Sequence, residues 1–160
     1  MEQEIDGIID EFSGRLLRYA NSILDNYQDA EDVVQEVLMT VYQQSGKFDG
    51  RNLSAWLYKM TYNSCISKIR KRRILPFADV PVSEKATDVD TGLSDASKAA
   101  LAKLKPQERA LLYGRIVEDY SYDELALQMG QSAATLRKRF ERVKQKFAVI
   151  LKEGFENEKL

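Results

Sequence analysis

Apolar side chains recur every three or four positions along most of the chain, and this interval places them on one face of an α-helix. In the first half, three such stripes predict a helix through residues 5–17, a second that begins near Gln28 or Asp29, and a third over about 53–72. A polar segment with two glycines, residues 45–50, separates the second helix from the third. We therefore expect an all-α fold.

The helical period stops in residues 75–94, a segment that contains Pro76, Pro81 and several acids. Loops of this length are uncommon inside a compact domain, so the segment is better explained as a connection between two domains. The sequence thus predicts two small helical domains, residues 1–74 and 95–160, joined by a flexible linker.

The second domain contains the signals of a helix-turn-helix. Ser121 and Glu124 have the spacing of a capping box at the start of a short helix, and Gly130 supplies a residue that ends a helix in a left-handed conformation. Ser132 can then cap the last helix, which is predicted to run to about Leu151. In this layout the second helix of the pair enters the major groove of DNA.

The predicted last helix has an apolar side and a basic side, and Ala126 is small where the shorter helix should cross it. A basic face on a terminal helix is by itself more often a solvated face than a DNA reader. The capped short helix, the glycine turn and Ala126 together favour DNA reading, with these candidate contacts: Ser132, Thr135, Arg137, Lys138, Arg139 and Arg142.

Charge is distributed unevenly along a chain whose formal net charge is only −1. Residues 2–36 hold ten acids against two arginines, whereas residues 68–73 and 137–146 each carry a net charge of +5. Two basic patches and a separate acidic surface indicate two contacts with a polyanion and one with another partner.

Enzymatic chemistry is poorly supported, because the chain has no histidine, no glycine-rich phosphate loop and no nucleophile motif. We expect no catalytic residue, no metal and no cofactor. Asp32, Gln35 and Glu36 share one helical face, which we interpret as a solvated or docking surface.

The single cysteine, Cys65, excludes an internal disulfide, and the acidic N-terminus lacks the layout of a signal peptide, so we expect a cytoplasmic protein without membrane insertion.

Aromatic and basic residues alternate from Trp56 onward into the basic tract. This composition suits melted nucleic acid, because bases stack on rings while cations follow the backbone. The simpler interpretation, a place in the core, fits Trp56 itself, while Tyr58, Tyr62 and Asn63 need not all be buried.

The acidic helical segment, the aromatic and basic segment and the helix-turn-helix, in this order along the chain, resemble the extracytoplasmic-function (ECF) class of bacterial sigma factors. The matching segments are Asp29–Glu36, Phe48–Asn63 with Arg70–Arg73, and Leu104–Leu112 with Tyr120–Ala126 and Thr135–Phe140. The resemblance implies a first domain of the region 2 type and a second of the region 4 type, the latter reading the −35 element of a promoter.

The same resemblance assigns roles to residues of the first domain. Four residues would dock on the β′ clamp helices of RNA polymerase core: Asp29, Asp32, Gln35 and Glu36. The −10 element would be melted and read by Lys47, Phe48, Asn52, Tyr58, Lys59, Tyr62, Asn63, Lys68 and Arg70, with a flipped base captured in the loop 47–52. The implied partners are polymerase core, including its β flap, promoter DNA and an anti-sigma factor.

Some positions depart from the family pattern, among them Ser67, Gln131, Ala134 and Glu141, so the promoter sequence is not predictable. The resemblance also implies that the acidic linker threads toward the RNA exit path. Two alternatives stay open at this point: a two-domain helix-turn-helix regulator that acts without polymerase, and a protein-binding adaptor or sigma-like antagonist.

Overall fold

The computed structural model describes residues 2–44, 53–74 and 94–158, and these ranges are helical with short turns and contain no strand. The helices are α1 (Glu2–Leu24), α2 (Tyr27–Gln43), α3 (Leu53–Ile74), α4 (Asp95–Ala102), α5 (Pro106–Ile116), α6 (Tyr122–Met129) and α7 (Ala133–Glu158). The all-α prediction is therefore confirmed. The chain divides into two compact units, residues 1–89 and 90–160. The predicted glycine loop and the predicted linker lie outside the described residues, apart from Ser94 at the linker's end, so the exact domain boundaries stay a prediction.

In the first unit, α1 packs against both α2 and α3, and α2 packs against α3. The turn before α2 is closed by Asn26, whose side-chain oxygen accepts a hydrogen bond from the backbone N–H of Asp29 at 3.1 Å. Helix α2 therefore begins at Tyr27, slightly earlier than predicted. At the centre, the rings of Tyr19 and Tyr58 lie 4.9 Å apart and both residues are fully buried.

In the second unit, α7 is the common partner of α4, α5 and α6. Its inward stripe of Leu136, Phe140 and Val143 is buried, as are Leu111 of α5 and Leu125 of α6, the two helices that pack against it. This stripe follows the three- and four-residue spacing seen in the sequence, so the helix presents one apolar side to the core and leaves the other side to solvent.

The ends of α6 form as the sequence predicts. The hydroxyl of Ser121 accepts the backbone N–H of Glu124 at 3.1 Å, and the carboxylate of Glu124 accepts the N–H of Ser121 at 3.2 Å. Gly130 ends the helix with a φ of +67°, and the Ser132 hydroxyl accepts the N–H of Thr135 at 3.1 Å to begin α7. Helix α7 continues to Glu158, beyond the predicted end, because its last residues are mostly good helix formers.

A close contact between α5 and α6 lies at a residue that the sequence did not single out. Ala126 was expected at the crossing, but it is only half-buried. A methyl group placed on Gly114 of α5 would come 2.7 Å from Cδ2 of the fully buried Leu125, so this glycine permits α5 and α6 to pack closely.

Candidate nucleic-acid interface

The outward side of α7 is cationic and open to solvent. All six predicted contacts for duplex DNA are exposed: Ser132, Thr135, Arg137, Lys138, Arg139 and Arg142. Between them, Leu136 and Phe140 turn into the core, so one helix carries both the packing and the candidate reading residues. The cations are not buried against the unit's own core, which is the condition that a major-groove helix has to meet.

A tyrosine of α6 supports two arginines next to this face. The guanidinium carbon of Arg115 lies 4.6 Å from the centre of the Tyr122 ring, and that of Arg137 lies 5.1 Å from it. The ring itself makes an edge contact with Phe140, with centres 6.1 Å apart. Cation–π contacts of this kind restrict a long side chain, so Arg137 is positioned before any ligand arrives.

Arg139 and Arg142 line a groove of about 420 Å³ between α5 and α7. Arg139 donates a hydrogen bond to the side-chain oxygen of Gln131 at 2.7 Å, which fixes it beside the turn. Lys105 and Gln107, at the start of α5, line the same groove, and sequence reasoning missed both. The available signal was their position beside Pro106, where the first turn of a helix begins.

Glu108, which also lines this groove, forms an ion pair that joins α5 to α7. The carboxylate of Glu108 accepts the backbone N–H of Lys105 at 2.9 Å and pairs with Lys146 at 3.0 Å. Partial burial by itself would raise the pKa of Glu108, but the Lys105 N–H and the Lys146 ammonium outweigh it, so the pKa lies below its usual value. Glu108 therefore carries its charge at neutral pH and helps to hold α5 against α7.

The structure corrects two of the residues predicted to contact melted DNA. Tyr58 is fully buried beside Tyr19, and Tyr62 is only 6% exposed. A ring enclosed by the core has no face for a base to stack on, so both tyrosines are core residues of α3. Lys59 and Asn63, each one position further along the same helix, are exposed as the prediction requires.

The other predicted −10 contacts differ in their surroundings. Arg70 is exposed, whereas Lys68 is half-buried and lies 3.4 Å from Asp32 and 3.8 Å from Asp29. The predicted flipped-base residues Lys47, Phe48 and Asn52 lie outside the described residues.

The predicted role of Asp29 is also corrected. It was predicted to dock on polymerase, but it is only 7% exposed, and its carboxylate pairs with Arg72 and Lys68 of α3. A carboxylate that is enclosed and paired inside its own unit is not presented to another protein. The remaining predicted docking residues, Asp32, Gln35 and Glu36, are exposed along α2.

Cys65 lies buried in the first unit, where burial raises the pKa of its thiol to about 12. Across the described ranges, no group of three or more His, Cys, Asp or Glu side chains is placed to hold a metal ion. None of the helices described is both long and apolar enough to cross a membrane.

Two family models match the chain in the order of its two units. Sigma-70 region 2 matches residues 8–74, and Sigma-70, region 4 matches residues 96–147. The second match contains the α6–turn–α7 arrangement with the cationic face, and the first contains the acidic face of α2 and the basic tract of α3.

Curated relatives and solved structures agree with these matches. The chain is 25% identical over 142 residues to the ECF RNA polymerase sigma factor SigM of Mycobacterium tuberculosis, covering 86% of this chain and 71% of that protein. It is 29% identical over 143 residues to the ECF RNA polymerase sigma factor EcfG of Rhodopseudomonas palustris, covering 85% and 78%.

Among solved structures, the sigma factor RpoE of Bartonella quintana, crystallised with the anti-sigma factor NepR, matches with a TM-score of 0.81 and 27% identity over 94% of this chain and 98% of that chain. CnrH, solved in complex with the cytosolic domain of CnrY, shares the fold with a TM-score of 0.68 at 18% identity, over 96% and 90% of the two chains. The chain therefore belongs to the sigma-70 family and, within it, to the ECF RNA polymerase sigma factors.

Proposed function

We propose that this protein is an alternative sigma factor that brings RNA polymerase core to specific promoters and starts transcription there. It is not an enzyme in its own right, and it works in the cytoplasm beside the polymerase. The observation that carries the proposal is the crossed pair α6 and α7, in which a capped short helix holds the apolar side of α7 and leaves Arg137, Lys138 and Arg142 exposed.

In this function, α7 enters the major groove at the −35 element. Arginine reads guanine through two parallel hydrogen bonds or binds phosphate, and lysine binds mainly as a point charge. Arg137 is the best placed reader, because Tyr122 already restricts its guanidinium. Ser132 and Thr135 bond to each other through their hydroxyls at 2.7 Å, which favours a role at the phosphate nearest the turn.

The first unit makes the two other contacts of the proposed function, one with polymerase core and one with the melted DNA strand. Asp32, Gln35 and Glu36 of α2 form the surface for the polymerase β′ clamp helices, and Lys59, Asn63 and Arg70 of α3 meet the melted −10 strand. Opening that strand costs a few kcal/mol for each unstacked base, and a pocket that accepts one base offsets this cost. Tyr58, Tyr62 and Asp29 belong to the scaffold that holds these side chains.

A protein antagonist is the third partner. RpoE, which matches over almost its whole length, is solved with the anti-sigma factor NepR. We propose that this chain is likewise held by an anti-sigma factor until polymerase is needed.

Run-off transcription with purified polymerase core on a pool of random promoters tests the proposal. The wild-type chain should give discrete transcripts, and the doubly substituted Arg137→Ala, Lys138→Ala chain should lose them. Lys152→Ala is the matched control, because Lys152 is an exposed cation on the same helix beyond the region 4 match. Transcripts that are absent with the wild type, or that survive the double substitution, would contradict the proposal.

A helix-turn-helix regulator that acts without polymerase is not favoured, because such a protein has no use for the region 2 half. Co-sedimentation with core separates the two functions directly. The sigma factor should travel with core in the absence of DNA, and Glu36→Lys should reduce the fraction that does so.

A further inference from the structure

The basic tract of α3, residues 68–73, has two kinds of cation. Lys68 and Arg72 lie one helical turn apart and point to the start of α2, where Asp29 pairs with both of them and Asp32 pairs with Lys68 at 3.4 Å. The side chains of Lys68 and Arg72 are 28% and 33% exposed. Two of the five positive charges in the tract are therefore already matched by carboxylates.

The other three cations of the tract, Arg70, Lys71 and Arg73, are exposed. Among the described residues, no carboxylate lies within ion-pair distance of them. The tract thus presents one face to its own unit and another face to solvent, although the sequence shows an almost unbroken run of positive charge.

Asp29 is fixed in a way that makes this division stable. Its backbone N–H is held by the side chain of Asn26 in the first turn of α2, and its own side chain is only 10% exposed. A buried carboxylate that loses its cations is left uncompensated, so release of Arg72 is far more costly than release of a surface pair.

We propose that Asp29 is a positioning residue that determines specificity: it withholds Lys68 and Arg72 from phosphate and leaves Arg70, Lys71 and Arg73 as the cations that meet DNA. Phosphate contacts strengthen binding to every sequence equally, while base contacts distinguish sequences. Withholding two cations lowers binding to unrelated DNA and leaves base reading by other residues in place. The inference deepens the proposed function and depends on it for the −10 strand as ligand, and it revises the predicted role of Lys68.

The experiment measures how binding depends on salt, using the full chain and a fluorescein-labelled single-stranded oligonucleotide without promoter sequence. For single strands, the slope of log K against log salt changes by about 0.7 for each phosphate contact. Arg70→Met should make the slope shallower by about 0.7, and Arg72→Met should leave it unchanged. Both substitutions replace an arginine of the same tract with methionine, but Arg72 is paired with Asp29 and Arg70 is not.

The Asp29→Asn variant directly tests whether the carboxylate of Asp29 keeps Lys68 and Arg72 away from phosphate. It should free one or two cations and steepen the slope by about 0.7 to 1.4. Glu11→Gln removes the same charge from an exposed site on α1 and should leave the slope unchanged. In run-off assays, promoter transcription by Asp29→Asn should fall more steeply than that of wild type as unlabelled non-promoter DNA is added.

An Arg72→Met slope as shallow as that of Arg70→Met would overturn the inference, and so would equal slopes for Asp29→Asn and Glu11→Gln. Circular dichroism checks that each variant is folded, and if Asp29→Asn is not, the two arginine variants decide alone. Run-off by the wild-type chain separates this inference from the proposed function. Without wild-type transcripts the function fails whatever the slopes are, and with transcripts but equal arginine slopes only the inference fails.

Discussion

The ammonium nitrogen of Lys146 lies 3.0 Å from Oε1 of Glu108, so an ion pair joins the middle of α7 to the first turn of α5. The same oxygen accepts the backbone N–H of Lys105 at 2.9 Å. The carboxylate therefore caps one helix and ties it to another, and these two contacts lower its pKa against the opposing effect of burial.

This pair predicts how the stability of the fold depends on pH. Because the pKa of Glu108 is lower in the folded chain than its ordinary value of 4.5, its contribution is complete above pH 4.5 and is lost as the pH falls through the folded value. Lys146→Met should lower the free energy of unfolding by about 0.5 kcal/mol at neutral pH and by less in acid. Urea titrations at several pH values measure both effects.

Lys144→Met is the control for that measurement, because Lys144 forms its ion pair with the exposed Glu141, at 3.3 Å, and otherwise lies over the ring of Phe140 in its own helix. Its effect on the free energy of unfolding should be smaller and should change little between neutral and acidic pH. Equal pH dependence in the two variants would contradict the role given to Glu108.

Cys65 should be chemically silent in the folded protein. With a pKa of about 12 and no exposed surface, its thiol holds almost no thiolate at pH 8, and the thiolate is the reactive form. The rate of reaction with a disulfide reagent should be near zero in buffer and should rise along the urea unfolding curve. Rapid labelling of the native protein would show that this part of α3 opens.

The same thiol gives a second pH dependence at the alkaline end. Its folded pKa is raised, so the stability that it contributes is complete below the ordinary value of 9.0 and is lost as the pH rises toward about 12. Cys65→Ala should flatten this loss in urea titrations, even though the cavity that it creates lowers stability at every pH.

Gly130 and Gly154 should respond in opposite directions to alanine. Gly130 has a φ of +67°, where a side chain costs about 1 to 2 kcal/mol, so Gly130→Ala should destabilise the fold by about that amount. Gly154 lies within α7, where a new methyl group would meet nothing within 4 Å apart from the adjoining backbone of its own helix, so Gly154→Ala should stabilise by up to about 1 kcal/mol. A destabilising Gly154→Ala would show that the exposed end of α7 has a contact of its own.

Tyr122 should affect DNA binding without touching DNA. Removal of its ring by Tyr122→Leu releases Arg137, and loss of a cation–π contact of about 0.5 to 1 kcal/mol should weaken binding to a promoter duplex about two- to fivefold. Tyr122→Phe keeps the ring and should bind as the wild type does. Fluorescence anisotropy measures the affinities.

A double substitution tests whether Tyr122 acts through Arg137. Arg137→Ala should weaken binding less in the Tyr122→Leu background than in the wild-type background. An undiminished effect of Arg137→Ala would mean that the two residues act independently.

The parts of the structure that sequence predicted well are those set by neighbours in the chain. Ser121, Glu124 and Gly130 close α6 through hydrogen bonds and backbone geometry that span a few residues. The inward and outward sides of α7 could also be predicted, because its apolar positions repeat without interruption and its cations fall between them.

Helix α3 was harder to interpret, because aromatic, polar and basic residues occur on all its sides. Nothing local distinguishes Tyr58, which packs on Tyr19, from Lys59, which is exposed. The burial of Asp29 in α2 could not be predicted from its neighbours in the chain either. An acid in the first turn of a helix is normally a solvated residue, and its partner Arg72 comes from another helix far along the sequence.

Because α6 is closed at both ends by its own immediate neighbours, the direction in which α7 leaves the turn does not depend on which outward residues α7 carries. We therefore expect that the choice of −35 element can be changed without changing the fold. A chimera that keeps Ser121, Glu124, Gly130 and Ser132, with the inward stripe of α7, but takes the other outward residues from another sigma factor should fold as this chain folds and bind the donor's −35 element, while the first unit still reads the −10 element of this chain.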